Sequence, residues 1–482
     1  MPMVFHRILP LLGIAFLFFL VCRCGSSDKN AIISNVRIIN VEDGTIGPPV
    51  DIFISDKIIF KISVYDSLSV PNGATRGNGA FVIPGLWDMH AHPDDPEVWR
   101  MKPDDLSRDK LMPQFVLRGV LGIRDMGGSL ETINRWRELG ESGQLLVPGI
   151  VAGGPLLDGP NPMWDGSVGI DSPAKAPQII DSLIAEGVDF LKIYSLLPRE
   201  TYFAVANYAN SKKIPFAGHV PYTVTTSEAA RTGMKSQEHL LEILRECSDY
   251  DEAVARGAFD PTKYRGAERY VAMNNFMLSN FDTTRFMELI RVHKSTNTRH
   301  CPTLSMWHKN AWFESERIRD DSLWTYLPPY LKSYWTEQEN DHLKNRDDEE
   351  FKSTKKRLYA HYLYIVRTLD ENDIPLLAGT DTGANPLCWP GIGVVNEMRE
   401  LERAGVPRLR VLQSATLNPV KYLGLSDSLG MVAVGRSADF LLLENNPLEN
   451  LEALYHLQGI SFNGNFLDKR QIETKLRETK SF

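Results

Sequence analysis

Hydrophobic and polar positions alternate with a period of two along residues 31–82, where apolar runs such as AIISNVRIINV are separated by turn sequences. This period is typical of strands with one buried face, and no part of the range has the period of a helix. The same pattern returns near the C-terminus, with an Asn-Gly turn at 463 and 464. It predicts one β-sandwich built from both ends of the chain, over 28–82 and 426–470, with a C-terminal tail over 471–482.

Between these ends, strand-like apolar runs alternate with amphipathic helix-like segments, which indicates parallel strands joined by helical crossovers. Eight units in about 300 residues are typical of a TIM barrel, so we expect an α/β fold with a (β/α)8 barrel over 83–425. The predicted strands are AFVIPGLWDMHAH (80–92), VLGIRDMG (120–127), LVPGIVAGG (146–154), DFLKIYS (189–195), IPFAGHV (214–220), MKSQEHL (234–240), TRHCPTLS (298–305) and IPLLAGTD (374–381).

Two connections are longer than a simple crossover requires. They cover about 241–297 and 306–373, and both are charged, aromatic and helix-prone. We expect helical insertions over the mouth of the barrel. Solvated helices with no role in the site are the alternative.

Composition excludes one class of partner. The 482 residues are 43% hydrophobic and 24% charged, as in an ordinary globular protein, and the formal net charge is −8. Proteins that bind nucleic acid concentrate basic side chains on one face. No basic stripe occurs in this chain, so we expect no nucleic-acid partner.

The first residues have the features of an export signal. An uninterrupted apolar run, ILPLLGIAFLFFLV, covers residues 8–21 and has the length of a secretory signal core. Cys22 and Cys24 follow, and this arrangement resembles a bacterial lipoprotein signal with either cysteine as the lipidation candidate. We predict a signal peptide over 1–24 and export to the bacterial cell envelope, periplasmic or anchored to a membrane by lipid. A plain cleaved signal and an uncleaved anchor are the alternatives.

Side chains that can bind metal stand at the carboxyl ends of five predicted strands, where the chemistry of a TIM barrel takes place. The first strand ends in two histidines that point to one side, because side chains alternate along a strand. Two imidazoles in that geometry can hold one ion if other segments bring further ligands. The candidates are His90, His92, Lys192, His219, His239 and Asp381.

These motifs carry a family resemblance. HAH after IPGL, the lysine in GVDFLKIYS, the histidines in PFAGHVP and SQEHL, and the aspartate in LLAGTDTG resemble the amidohydrolase superfamily. Within it, the chain is similar to the imidazolonepropionase-like and prolidase-like branch, which includes Xaa-Pro and Xaa-Arg dipeptidases. The likeness extends over nearly the whole chain after the signal, including ATLNPVKYLGL and GRSADFLLLENNPL.

The resemblance implies a centre of two divalent metal ions. His90, His92 and Asp381 would hold one ion, His219 and His239 the other, and an N6-carboxylated Lys192 would bridge them. Burial beside two cations is consistent with this, because it removes the proton that prevents a lysine from taking up carbon dioxide. Zinc is favoured by the ligand types, while manganese, cobalt and iron remain open.

The implied reaction is hydrolysis of a C–N amide bond by a hydroxide that bridges the metals, with Asp381 carrying the proton to the leaving nitrogen. A purely ligating Asp381 is the alternative. Tyr194 would face the same pocket and hydrogen-bond the substrate carbonyl, with barrel-mouth packing as its alternative role. Arg124 is a candidate partner for a substrate carboxylate, with a structural ion pair to Asp125 as its alternative.

Two loops are candidate pocket walls, GGPLLDGPNPMW over 153–164 and ANPLCWPGIG over 384–393. Trp164 and Trp389 would offer the substrate apolar contact. Packing within structural turns is the alternative. A dipeptide or an N-acyl amino acid is the favoured substrate, because export favours peptide-like molecules.

Three other functions remain as alternatives. A cyclic-amide hydrolase similar to imidazolonepropionase would use the same ligands. A deaminase would often carry an acid three positions after His219, where this chain has Tyr222. A binding lipoprotein of the envelope without catalysis would be expected to lack some of the ligands. Association into a homo-oligomer also remains possible from the sequence.

Overall fold

A computed structural model describes residues 30–94, 106–313, 322–345 and 347–480. The predicted signal peptide over 1–24, with Cys22 and Cys24, lies outside the described residues. Among the residues that the structure describes, no helix is both long and apolar enough to cross a bilayer.

The strands fall into a terminal sheet and a central barrel. They are β1 Asn30–Ile39, β2 Ile46–Ser55, β3 Ile58–Val64, β4 Thr75–Pro84, β5 Leu86–Ala91, β6 Val120–Asp125, β7 Gly149–Ala152, β8 Leu157–Asp158, β9 Val168–Gly169, β10 Leu191–Ile193, β11 Phe216–Gly218, β12 Ser236–Glu238, β13 Arg299–Cys301, β14 Phe440–Leu443, β15 Leu457–Phe462 and β16 Asn465–Asp468.

The terminal sheet joins both ends of the chain in the order β16-β15-β14-β4-β1-β2-β3. An antiparallel bridge from Ile58 to Ser437 brings the β3 edge against the residues that lead into β14, so the sheet folds over itself. It encloses its own apolar core, which includes Ile33, Ile52 and Phe440. The predicted β-sandwich of both chain ends is present as one separate seven-stranded sheet that folds over itself.

The first predicted strand, 80–92, is two strands in the structure. β4 pairs with β14 as far as Pro84, opposite Phe440, and the barrel strand β5 begins at Leu86. Gly85 lies between them, where a Cβ would be 2.4 Å from the side chain of Leu121. The terminal sheet therefore extends two residues past the predicted boundary at position 82. The sequence does not show this boundary, because the same apolar run continues from β4 into β5.

The C-terminal residues also differ from the expected tail. Lys469–Glu478 is a helix, begun by a capping box in which Asp468 and Gln471 bond to each other's backbone N–H groups. Its Ile472 is buried. The helix packs against β15, β16 and the helix Leu111–Leu117, so it belongs to the folded domain.

Parallel pairing connects β5 to β6 and β7, and β10 to β11, β12 and β13. Residues 376–382 close the barrel through bridges from Leu376 to His300 and from Thr382 to Ala91. This eighth segment makes isolated bridges rather than a regular strand. Gly379 explains its close approach, since a Cβ there would be 2.4 Å from Cys301 Sγ. The predicted (β/α)8 barrel is confirmed.

Helices surround the barrel and extend over its mouth. Those of the shorter connections are Leu111–Leu117, Leu130–Glu141, Ala176–Glu186, Arg199–Lys212, Thr226–Arg231, Ile392–Arg403, Arg408–Ser414 and Leu417–Leu423. Those of the two long connections are Leu241–Glu246, Tyr250–Ala255, Gly266–Ser279, Thr283–Thr296, Leu304–Ala311, Pro329–Leu343 and Glu349–Glu371. Leu241, Met306 and Tyr334, from the long connections, line the cavity at the carboxyl ends of the strands.

Candidate metal centre and active site

Three ligand atoms meet at the carboxyl end of β5. His90 Nε2 lies 3.3 Å from His92 Nε2, and Asp381 Oδ1 lies 3.4 Å from the first and 3.3 Å from the second. Asp381 comes from the segment that closes the barrel beside β5. Two imidazole nitrogens and a carboxylate oxygen at this spacing are a donor set for one divalent ion.

The other two imidazoles are in contact with this group. The ring centroid of His239 lies 4.4 Å from that of His90 and 4.9 Å from that of His219. Neither residue is near His90 in sequence; they follow β11 and β12. Four imidazoles from three segments therefore surround one small volume at the end of the barrel.

The Nδ1 atoms of three of these rings already have partners. His90 Nδ1 lies 2.8 Å from Glu238 Oε2, His219 Nδ1 lies 2.9 Å from Ser195 Oγ, and His239 Nδ1 lies 2.8 Å from Thr303 Oγ1. A hydrogen bond at one ring nitrogen selects the tautomer and orients the other nitrogen. Nε2 of each ring is thereby left to act as the ligand.

Lys192 lies among these donors on β10. It is completely buried, and its Nζ has no hydrogen-bond partner. Burial lowers the pKa of its amine to about 8, although the carboxylates of Glu238 and Asp381 oppose the shift. An unpaired buried amine is costly unless it is neutral or changed chemically. Among the candidate ligands, Lys192 is therefore the one whose buried polar atom has no hydrogen-bond partner.

The protonation states favour ligation. Burial, with nearby Lys192, holds the pKa values of the His90 and His219 imidazoles well below their usual range. Burial also lowers the pKa of His239 to about 4. For Asp381, burial would raise the pKa, but His239 and His92 keep it below its ordinary value. Neutral imidazoles and an ionised carboxylate are the forms that bind metal.

Two of the donors stand on unusual backbone. His239 and Asp381 have φ angles of 63° and 60°, in the left-handed region that non-glycine residues seldom adopt. The Asp381 carboxylate is also fixed by Asn385, whose Nδ2 donates to Oδ2 at 2.6 Å. Such strain persists only where the surroundings impose it, and it is common at functional sites.

Arg124 is not in the pocket, and its predicted role as a substrate-carboxylate partner is wrong in this structure. The guanidinium is fully buried and donates to both oxygens of Glu238, at 2.9 and 3.0 Å. Its other donors reach Met89 O, Ser236 Oγ and the Tyr422 hydroxyl. Its carboxylate partner is Glu238 rather than Asp125. Arg124 therefore holds the glutamate that orients His90.

Sequence reasoning missed Glu238, Ser195, Thr303 and Asn385. Glu238 was visible in the SQEHL motif, but alternation placed it opposite His239. The left-handed backbone at His239 breaks that alternation, so both side chains reach the centre. Asp88 also supports the site, since its carboxylate accepts from the backbone N–H groups of His90 and Thr380.

A cavity of about 250 Å³ opens onto the donors. Tyr194 lies in its wall, stacked on His219 with ring centroids 4.2 Å apart, and its hydroxyl accepts a 2.5 Å hydrogen bond from Trp164 Nε1. Other wall residues are Leu156, Asp165, Leu241, Met306, Trp307, Tyr334, Gln338 and Asn385.

Trp389 does not line this cavity, in contrast to its predicted role as a wall. Its side chain is buried and packs edge-on against Trp335, with ring centroids 4.9 Å apart. Trp335 in turn donates to the carbonyl of Gly383, in the loop after Asp381. Trp389 therefore supports the loop from behind. The sequence placed it in the correct loop but could not show which way the ring turns.

Comparisons with known proteins agree with this architecture. The sequence matches the model of the amidohydrolase family over residues 81–467. A comparison with curated proteins gives no match.

Similar solved structures share the fold. Bottromycin amidohydrolase is 23% identical with a TM-score of 0.71, and the alignment covers 94% of this chain and 91% of that one. A Xaa-Pro dipeptidase with bound methionine is 18% identical with a TM-score of 0.63, covering 91% and 100%. A. niger ochratoxinase is 17% identical with a TM-score of 0.63, covering 92% and 96%.

Proposed function

This chain belongs to the amidohydrolase family and is a hydrolase of carbon–nitrogen bonds, and from that premise we propose that it is a metal-dependent enzyme cleaving the amide bond of a dipeptide or an N-acyl amino acid. The proposal rests on one observation above the others. Lys192 Nζ is buried without a partner amid four imidazoles and the Asp381 carboxylate.

The residues fit two divalent ions. His90, His92 and Asp381 would hold one, and the Nε2 atoms of His219 and His239 would hold the other. Lys192, carboxylated at its amine, would supply oxygen ligands to this centre, which would account for the burial of its nitrogen. Zinc suits this set of nitrogen and oxygen ligands. When bound, the ions would polarise the scissile carbonyl and lower the pKa of water toward neutrality.

Asp381 would carry the proton in this reaction. Its Oδ1 faces His90 and His92, while its Oδ2 accepts from Asn385, so the carboxylate is held in one orientation. The ionised carboxylate can take a proton from the attacking water and deliver it to the departing nitrogen. Asn385 acts as a positioning residue for this step.

Tyr194 would donate to the carbonyl oxygen of the substrate. Its hydroxyl accepts from Trp164, which leaves its own O–H free to point toward the cavity. Burial raises the pKa of this phenol, so it stays protonated at neutral pH. A fixed neutral donor of this kind stabilises the oxyanion that develops as the carbonyl is attacked.

The cavity supports a small, partly apolar substrate. Its volume of about 250 Å³ is bounded by Trp164, Trp307 and Tyr334, while Gln338 and Asn385 offer amide groups. These walls suit an amino-acid side chain and the polar atoms of an amide. A dipeptide or an N-acyl amino acid has this size and chemistry.

Metal analysis combined with a substrate screen tests the proposal. The purified chain is expected to hold two equivalents of divalent metal, and Lys192→Ala is expected to hold fewer and to lose hydrolysis. Lys175→Ala is the matched control, because Lys175 is exposed and pairs with Asp171 at the surface.

The screen should contain dipeptides, N-acyl amino acids, cyclic amides and aminated purines and pyrimidines. Hydrolysis of the first two classes supports the proposal. Turnover of cyclic amides alone would identify the imidazolonepropionase-like alternative, and ammonia release from bases would identify a deaminase. Unchanged metal content in Lys192→Ala would contradict the proposal that Lys192 bridges the two ions.

We also propose that the chain is exported and attached to a membrane through its N-terminal segment. The support is the apolar run over 8–21 followed by Cys22 and Cys24. Incorporation of labelled fatty acid, lost in Cys22→Ser or Cys24→Ser, would identify the lipidated residue. Detergent-free recovery of the whole chain in the aqueous phase would contradict membrane attachment.

A further inference from the structure

Exposed apolar side chains are concentrated on the terminal sheet. Of the twelve large hydrophobic side chains exposed among the described residues, six belong to this domain, at Ile46, Ile58, Phe60, Val64, Leu68 and Val434. Single exposed hydrophobics are normal on a protein surface, whereas a group of them marks an interaction site. Three of the six, Ile58, Phe60 and Val64, lie on β3, which makes this strand a candidate interaction surface.

The centre of this group is a compact patch on the outer face of β2 and β3. Phe53 and Phe60 meet edge to face, with ring centroids 6.0 Å apart. Phe60 is 53% exposed and is the extra residue at a register shift between β2 and β3. Ile52 and Ile54 point into the domain core, so Phe53 points outward.

Ile58 and Val434 extend the patch. Ile58 is 42% exposed and lies two residues before Phe60. Val434 is 57% exposed and is brought to the same place because Gly435 N donates to Ile59 O. We call Phe53, Ile58, Phe60 and Val434 the apolar patch.

Lysines border the apolar patch. Lys61 Nζ lies 4.8 Å from the centroid of the Phe53 ring, and Lys57 is exposed one residue before Ile58. Aromatic rings flanked by lysines are typical of surfaces that meet lipid headgroups, since the rings enter the interface and the ammonium groups stay at the phosphates.

The chain that leads to the proposed membrane anchor starts beside this patch. Asn30, the first described residue, pairs with Ser55, and Ser55 pairs with Ile58. Neighbouring strands are about 5 Å apart, so the backbone of Asn30 lies about 10 Å from that of Ile58. The six residues from Cys24 to Asn30 can extend at most about 20 Å. An anchor at Cys24 therefore keeps the patch close to the bilayer.

We propose that the apolar patch rests on the lipid surface to which the N-terminal segment attaches the chain. This inference rests on the proposed membrane attachment and not on the proposed reaction. Lys57 lines the same cavity as Gly85 and Trp87, at the start of β5, whereas His90 and His92 lie at its other end. Docking through the patch thus leaves the mouth of the active site open to solvent.

Photo-crosslinking in vesicles tests the surface. The full-length chain, expressed with p-benzoylphenylalanine in place of Phe60, is reconstituted into phosphatidylethanolamine–phosphatidylglycerol vesicles, recovered by flotation, irradiated and analysed by mass spectrometry. The matched control carries the same group in place of Tyr364, which is 41% exposed on the helix Glu349–Glu371. We expect lipid adducts at position 60 and none at position 364.

The outcomes separate the two proposals. A chain that does not float with vesicles contradicts both the anchor and the docked surface. A chain that floats but gives no lipid adduct at position 60, or equal adducts at 60 and 364, contradicts the docked surface alone. An adduct from position 60 to a second copy of the chain would show that the patch is a protein interface instead.

Discussion

Glu238 accepts a hydrogen bond from Nδ1 of His90 at 2.8 Å while Arg124 holds the same carboxylate from below. His90 and Glu238 are 148 positions apart in the chain, and the side chains of both are fully buried. A carboxylate in this position fixes the ring orientation and increases the basicity of the opposite nitrogen.

Replacing Glu238 with Gln is therefore expected to weaken metal binding. Loss of such a partner lowers metal affinity about 10- to 100-fold, which competition with a fluorescent chelator can measure. Glu400→Gln is the control, because Glu400 is also buried and bonded to Arg403 but lies away from the centre. Equal affinities in the two variants would show that the Glu238–His90 contact does not tune the ligand.

The Tyr194 hydroxyl is expected to act in catalysis rather than in binding alone. Tyr194→Phe should lower kcat about 100-fold with a smaller change in KM, since removal of one oxyanion donor has this effect. Trp164→Phe removes the indole N–H that orients the hydroxyl, together with part of the cavity wall, and should lower kcat about tenfold, or about 1.4 kcal/mol. Steady-state kinetics on the best amide substrate distinguishes the two variants. An unchanged kcat in Tyr194→Phe would assign the ring to packing.

Arg124 is expected to matter for stability rather than for substrate choice. Arg124→Gln leaves the Glu238 carboxylate buried without a countercharge, and breaking a buried pair costs about 3–5 kcal/mol. Urea unfolding should show this loss. The ratio of KM values for substrates with and without a carboxylate should stay constant. A rise in KM only for substrates that carry a carboxylate, at unchanged stability, would show that Arg124 binds the substrate.

His293 and His300 are expected to make the fold sensitive to acid. They are buried against each other outside the metal centre, with His300 Nε2 2.9 Å from His293 Nδ1. Burial lowers the pKa of His293 from 6.5 to about 4. Between these values the unfolded state binds a proton that the folded state refuses. The free energy of unfolding is therefore not reduced by this histidine above pH 6.5. It decreases as the pH falls toward 4, by up to about 3 kcal/mol.

Unfolding experiments at pH 7.5 and pH 5 can measure this effect. His293→Gln should narrow the difference in stability between the two pH values. His456→Gln, a change at an exposed histidine, should leave the difference as it is. A full acid-dependent loss of stability in His293→Gln would assign the sensitivity to other groups.

The sequence by itself determined the barrel, the terminal β-domain and the positions of the candidate donors. Periodicity of the apolar residues shows which face each segment buries, and parallel strands in a barrel all end on one face. The sequence alone therefore places His90, Lys192, His219 and Asp381 on one rim. Family membership followed from the same motifs.

Only the tertiary structure decided the partners of the buried side chains. Arg124 and Glu238 are 114 positions apart, and no local pattern states that they meet. Trp389 turns into the core and Trp164 into the cavity because of neighbours that come from other segments. The left-handed backbone at His239 also ends the alternation on which strand predictions depend. Local periodicity reports burial of a face, whereas the pairing of two buried polar groups is set by how distant segments pack.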